Sequence, residues 1–470
     1  MKPISNKAVL PILGLVLSST ARLPSAETVE KANSVERIVR FELRVVNRGG
    51  SPQDIKSFLA LPWTNERQEV LYLLPEPGYR EIATDAYGNR IAVYVDPGVK
   101  PGEVRSHGWM AAVQLHAAVY KPAGAVPPLS AEEKERYTRD SPNYQIRSPY
   151  ITALRDSLTK GCATDAKKVA AIFKHLVGRI RYVRDDKWDP APVVLERGEG
   201  SCSEYNYALI ALLRSCGIPC RYTGAVILTA DNTTRYDEKV HEDAVFHRWT
   251  EVFLRETGWF PLDGSRGSGA QRKFDNILNY WGRLPAGSLQ TFRGDGGDDL
   301  PLEWQYVARA QGKAQGSLKA STVAYWIDAP VSRLEPELKA AEKAISGEPS
   351  AESLGRLLGD SLKRECLLFW AAKLETKLYP SMAQGLLDAR HPQAIYFSLS
   401  SRSRGEAIPE KLALERIADE ALRSQIERQL GPRGADWGTF EYWWRKARPQ
   451  ISFSPEKGAF VLGVKEVGVH

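Results

Sequence analysis

The stretch from Gly200 to Asp263 constrains this chain more than any other. It opens with Gly200-Ser201-Cys202-Ser203-Glu204-Tyr205. Ser201 and Glu204 have the spacing of a reciprocal helix cap, so a helix is expected to begin at Cys202. Ala208, Leu209, Leu212 and Leu213 give that helix one apolar stripe. Gly217 and Pro219 end it. Cys202 therefore falls on the first turn, where backbone N–H groups have no intrahelical acceptor and the positive end of the dipole lies. That environment favours thiolate over thiol, and the same N–H groups suit a developing oxyanion. A buried structural cysteine is the plainer alternative, but a polar helix start preceded by Gly198-Glu199-Gly200 is a poor place to bury one.

A base and its orienter follow. His247 to Leu254 reads as a strand, Trp259 to Asp263 as another, and Arg255 to Gly258 as the turn between them. Folding about that turn sets position 247 opposite 264, or opposite 266 if the turn moves by one residue. Either register brings Asp263 near His247, a base–orienter pair. His241 is a rival base, but it stands in what reads as a polar loop from Thr229 to Asp243, with no carboxylate across a hairpin. Glu251 shares a strand face with His247 and reads as a solvated residue.

A thiol, an imidazole and a carboxylate in this order resemble the transglutaminase-like superfamily, the papain-related group. The glycine-rich approach to Cys202, the turn Gly217-Ile218-Pro219-Cys220-Arg221-Tyr222, the strand His247-Arg248-Trp249-Thr250-Glu251-Val252 and the strand from Gly258-Trp259 to Asp263 all match its pattern. The resemblance covers about Tyr150 to Arg293. It implies Cys202 as nucleophile, His247 as base and Asp263 as the orienting carboxylate. Cys216 and Cys220 depart from the pattern, since small residues such as alanine are more usual there. Trp188, ahead of Cys202, and Trp249, beside His247, are the candidate substrate-contacting aromatics. For Trp188 the alternative is a core anchor, given the apolar area such a ring buries.

Composition matters at the start of the chain. Lys2 and Lys7 precede a ten-residue apolar run from Ala8 to Leu17, too short to span a bilayer, and small residues at Ala21 and Ala26 suit cleavage. Residues 1–26 thus read as a secretory signal peptide, with a periplasmic or secreted destination and no membrane span after its removal. An uncleaved anchor is the alternative. The formal charge of +7 includes Lys2, Lys7 and Arg22, and losing those three leaves +4. No basic stripe interleaved with aromatics suggests nucleic acid. Of the five cysteines, Cys216 and Cys220 flank a tight turn and are the expected disulfide in an oxidising compartment, two small buried residues being the alternative. No His/Cys spacing points to zinc, and no cofactor is expected.

With 470 residues there is room for about three domains. Residues 36–122 alternate Val39, Phe41, Leu43 and Val45, then Trp109, Ala111, Val113 and Leu115, with frequent turns, as an immunoglobulin-like β-sandwich would. Lys121 to Pro149 reads as a linker, 150–308 as the catalytic α+β domain, and 330–470 as a mostly helical region with faint α-hairpin character. Tyr442-Trp443-Trp444 reads as a packing cap. The fold class is multidomain α+β. The expected function is cysteine-dependent acyl transfer at amide bonds of a peptide or protein substrate, in the manner of a peptidase or amidase. The alternatives are a protein-glutamine cross-linking transglutaminase and a non-catalytic scaffold keeping the fold.

Overall fold

A computed structural model of the chain describes residues 29–122, 124–183, 188–228, 234–237, 240–243, 246–265, 281–294, 302, 308–346, 356–371, 451–454 and 459–462. The expected signal peptide, the Tyr442-Trp443-Trp444 patch and most of the helical C-terminal stretch lie outside the described residues.

Six strands open the chain: β1 (Val29–Asn47), β2 (Gln53–Leu61), β3 (Gln68–Pro75), β4 (Glu81–Thr84), β5 (Arg90–Val99) and β6 (Val104–Tyr120). Helices α1 (Ala131–Thr138), α2 (Pro149–Thr159) and α3 (Asp165–Arg179) follow, then β7 (Arg181–Tyr182), α4 (Ala191–Arg197), β8 (Glu199–Gly200) and α5 (Cys202–Ser215). Next come β9 (Cys220–Ile227), β10 (Thr234–Asp237), β11 (Val240–Asp243), β12 (Phe246–Leu254), β13 (Gly258–Leu262), β14 (Arg283–Leu284), β15 (Ser288–Gly294), β16 (Ala308–Gly312) and β17 (Leu318–Ile327). Helices α6 (Leu334–Ser346) and α7 (Ser361–Ala371) and the hairpin β18 (Ile451–Ser454)–β19 (Ala459–Leu462) close the described chain. The protein is multidomain α+β, with antiparallel sheets leading, an α+β unit following and helices after it.

The N-terminal sheets face each other across an apolar core. One runs β10-β11-β17-β1-β6-β14 with β3 also on β6, and the other runs β16-β2-β5-β4. Phe41, Leu43 and Trp109 from the first meet Leu59, Ile91 and Tyr94 from the second. Trp109 Nε1 donates across the gap to the Ala60 carbonyl at 3.1 Å. Strand pairing from far along the chain completes both sheets: β17 lines up along β1 from Ile38↔Ile327 to Asn47↔Leu318, and β16 adds to β2. The stretch read as a polar loop before His247 contains the β10–β11 hairpin, which extends the large sheet by pairing β11 with β17.

The alternation on β1 puts Val39, Phe41, Leu43 and Val45 in the core and Arg40, Glu42 and Arg44 on the other face. That charged face is also buried, because α7 packs over it. Arg40 pairs with Glu365 of α7 at 2.8 Å and with Glu42 at 3.1 Å, and Arg44 holds Glu42 at 2.8 Å. Burial pushes the Glu42 carboxyl up, but Arg44 and Arg40 outweigh it and hold it down at about 2.

Within the expected linker lies α1, started by a reciprocal cap between Ser130 and Glu133. Its Tyr137 ring meets Trp259 of β13 at 4.8 Å and Tyr87 of the sandwich at 6.0 Å, bridging the two units. The α+β unit is built on the antiparallel sheet β13-β12-β9-β15, against which α5 packs. Every residue of β9 is buried.

Candidate active site

Helix α5 begins at Cys202, where the capping pattern places it. Glu204, wholly buried, accepts the Ser201 N–H at 2.8 Å. It does more than cap. It also accepts the Asp189 N–H at 3.1 Å and Arg197 at 2.9 Å, while Arg197 holds the Asp189 carboxylate at 2.6 Å. This network fastens the segment carrying Trp188 to the helix start. Val183 donates to the Gly200 carbonyl at 3.0 Å, fixing the approach to the cysteine.

The hairpin pairs Thr250↔Leu262, Val252↔Phe260 and Leu254↔Gly258. That register falls midway between the two expected from the turn and, continued, sets His247 opposite position 265. The carboxylate is thereby in reach: His247 Nε2 lies 2.7 Å from Asp263 Oδ2. Ser265 Oγ donates to Asp263 Oδ1 at 3.2 Å, and Asp263 is 1% exposed. The next residue has to be glycine, because a Cβ on Gly264 would stand 2.4 Å from the Tyr205 ring of α5. His247 is close enough to the Cys202 sulfur to lower its thiol. With Nε2 turned to Asp263, Nδ1 is the ring nitrogen left for the sulfur.

The electrostatics favour the thiolate. Burial alone would push the Cys202 thiol up. The hydrogen bond with His247 and the positive charges of Arg248 and His247 overcome burial and the nearby Asp263, and bring it below the ordinary thiol range. Cys366, inside α7, is the opposite case: burial first, then the Glu365 and Glu337 carboxylates, drive its thiol far up.

Sequence candidates divide as follows. Cys202, His247 and Asp263 come together. Trp188 is 40% exposed, with its ring over the Arg248 guanidinium at 4.6 Å. Trp249 is wholly enclosed, its ring 6.4 Å from that of His247 and 5.7 Å from the Arg67 guanidinium. His241 sits on β11 opposite Trp326, in the N-terminal sheet. Glu251 is buried and paired with Arg221 at 2.6 Å rather than solvated. None of the five cysteines forms a disulfide: Cys220 lies buried with its sulfur 3.8 Å from the Ile210 carbonyl, so the expected Cys216–Cys220 bond is not made.

Two residues escaped the sequence reading. Asn206 donates to the carbonyls of both Cys202, at 2.6 Å, and Arg248, at 3.1 Å, and accepts from Thr250 Oγ1 at 2.6 Å. It stitches α5 to β12. An amide one turn after a candidate nucleophile, inside an otherwise apolar helix, was the available signal. Arg248 stood in the quoted strand motif without a role.

Residues 152–264 match the transglutaminase-like superfamily. The uncharacterized protein YebA of Bacillus subtilis (strain 168) is 25% identical over 189 residues, 35% of this chain and 24% of its own length, so the chain spans about a quarter of that relative. Among solved structures, a candidate cysteine protease of Cytophaga hutchinsonii shares 16% identity at a TM-score of 0.45, over 64% of this chain and 94% of that one. The periplasmic domain of TgpA from Pseudomonas aeruginosa shares 15% at 0.27, over 52% of this chain and 73% of that one. No helix of the described residues is long and apolar enough to cross a membrane.

Proposed function

We propose that the transglutaminase-like domain of this chain, residues 152–264, performs cysteine-dependent acyl transfer from amide bonds of a peptide or protein, with Cys202, His247 and Asp263 as its catalytic set. One observation carries the reading: the His247 ring is held at Nε2 by a 2.7 Å contact with a buried carboxylate, which leaves Nδ1 for the thiol of Cys202. Arrangements of this kind hold the imidazole in the tautomer that exchanges protons with sulfur.

The Cys202 thiolate attacks the amide carbonyl, forming a C–S bond and an oxyanion that the N–H groups at the start of α5 are placed to receive. Collapse breaks the C–N bond, and the His247 imidazolium gives its proton to the departing amine. Water then attacks the thioester, His247 takes its proton, and the C–S bond breaks to restore the thiolate. Hydrolysis is the favoured outcome because Cys202 keeps 9% exposure and no feature of the sequence would shield its thioester from water. Trp188, 40% exposed with its ring against Arg248, is the candidate substrate contact. An exported location belongs to this same reading, as does a division into a leading β unit, a catalytic α+β unit and a helical region at 330–470, with β10, β11, β14, β16 and β17 from beyond 36–122 completing the leading sheets.

The test is a reporter peptide assayed for hydrolysis and for incorporation of a labelled amine, with wild type and Cys202→Ala side by side. Hydrolysis is expected in wild type and none in the variant, with circular dichroism unchanged. A folded Cys202→Ala protein that still turns over the peptide refutes the nucleophile, and amine incorporation exceeding hydrolysis moves the activity to cross-linking.

A further inference from the structure

We infer that Asn206 is a positioning residue that fixes the separation between the Cys202 sulfur and the His247 ring, an inference resting on Cys202 and His247 being the reacting pair. Asn206 stands one turn after Cys202 on α5 and is 2% exposed. Its amide is used in full. Nδ2 donates to the carbonyl of Cys202 at 2.6 Å and to that of Arg248, the residue after His247, at 3.1 Å. Oδ1 accepts the Thr250 hydroxyl at 2.6 Å. The two carbonyls can only accept, so they require the nitrogen end, and the hydroxyl holds the oxygen end. One orientation of the amide satisfies all three partners.

Two backbone carbonyls are thereby tied through a single planar side chain, one on the nucleophile and one next to the base. The His247 ring is itself fixed by Asp263 at 2.7 Å. Tyr205, the residue before Asn206, gauges the Asp263 end: a Cβ on Gly264 would stand 2.4 Å from its ring. Adjacent residues of the helix that starts with the thiol therefore touch the segments carrying the imidazole and the carboxylate. The ladder shows what the tie adds. Strand β13 pairs with β12 from Thr250↔Leu262 to Leu254↔Gly258, while β9 runs on to Phe246. His247 and Arg248 lie beyond the paired part of the hairpin, and Asn206 holds that end of β12 to α5. Rotation about the Cys202 Cα–Cβ bond is then the main freedom left between sulfur and ring. A sulfur–imidazole contact depends steeply on alignment, and misplacing reacting groups by about 1 Å costs about 10²-fold in rate.

The test reads Cys202 itself on the full chain. Iodoacetamide forms an S–C bond with the thiolate and releases iodide, and the rate at Cys202 is followed by mass mapping across pH. Wild type, Asn206→Leu, Asn206→Ser and Thr250→Val are compared. Among the described residues, the titratable groups acting on the sulfur include His247 and Arg248 of β12, Asp263 after β13 and Tyr207 of α5. None of the three substitutions adds or removes a charge. In wild type the midpoint should lie below the ordinary thiol value of 9.0. Asn206→Leu should raise it by about one pH unit, so that alkylation near neutral pH slows about tenfold. In reporter-peptide hydrolysis, kcat should fall about 10²-fold with KM nearly unchanged. Asn206→Ser keeps one donor, which serves the Cys202 carbonyl within the helix. It should behave as Asn206→Leu does, since the tie to β12 is gone. Thr250→Val keeps both donors but releases the amide oxygen, and should shift the midpoint the same way by less. A residue that only stabilises the fold would lower the urea midpoint and leave the alkylation midpoint in place. That result for Asn206→Leu or Asn206→Ser overturns the proposal. Where neither variant folds, Thr250→Val decides, and a wild-type midpoint overturns it. A wild-type Cys202 that is not alkylated, or that has an ordinary midpoint, fails the reacting pair itself and the proposal with it.

Discussion

Cys202 and Cys366 are both buried cysteines set among buried charges, and their surroundings drive them in opposite directions. Cys202 opens α5 with His247 and Arg248 near its sulfur, and they lower its thiol. Cys366 lies inside α7 next to Glu365 and near Glu337, and its thiol is raised. Burial raises both. The sign is set by which charges accompany it and by place on the helix, start against interior. The arginines show the same contrast: Arg40 is fastened to Glu365 and Glu42 and holds a seam together, whereas Arg248 lies against aromatic rings beside the sulfur. Buried charge builds structure at the α7 seam and prepares chemistry at the α5 start.

Several substitutions would break that contrast. Cys202→Ala should abolish turnover, and His247→Ala should reduce it by about 10²- to 10⁴-fold, since the sulfur loses its proton partner and the leaving amine its donor. Asp263→Ala should cost less than His247→Ala. The double variant should lose less than the product of the single losses, because the three act as a unit. Peptide hydrolysis measures all four. At the seam, Glu365→Ala should destabilise by about 3–5 kcal/mol in urea unfolding, since Arg40 is left buried without its closest anion, while the labelling rate of Cys202 stays unchanged.

Acid should distinguish the two regions as well. Glu42 has a folded value of about 2 against an ordinary 4.5, so its contribution to stability is complete above 4.5 and fades as pH falls towards 2. Acid titration of unfolding should show that loss, and Glu42→Gln should flatten it. The smallest effect is expected from Cys366→Ala, which removes one buried thiol far from the reaction. It should leave hydrolysis at the wild-type rate and lower stability by about 1 kcal/mol in urea unfolding.

What was legible in the sequence follows from range. The helix start at Cys202 and the His247–Asp263 hairpin are local, each decided by a few residues' spacing, and both were readable. Asn206 and Arg248 acquire their roles only when α5 lies on β12, a contact between segments 42 residues apart. Strands β16 and β17 carry no local sign that they will pair with β2 and β1, more than two hundred residues earlier. Likewise, alternation identified the apolar face of β1, but a charged face built from Arg40, Glu42 and Arg44 looks solvated until α7 covers it. The Cys216–Cys220 bond was inferred from spacing and compartment, while the fold gives Cys220 a place under α5 instead.

The most direct test compares the two cysteines in one native sample. The full chain is treated with iodoacetamide near neutral pH, and the alkylation of each cysteine is followed by mass mapping over time. Cys202 should be modified first, with a pH dependence whose midpoint lies below the ordinary thiol value of 9.0, and Cys366 only after denaturation. Alkylation of Cys366 in the native protein ahead of Cys202, or a Cys202 that reacts only when the chain is unfolded, would contradict the account.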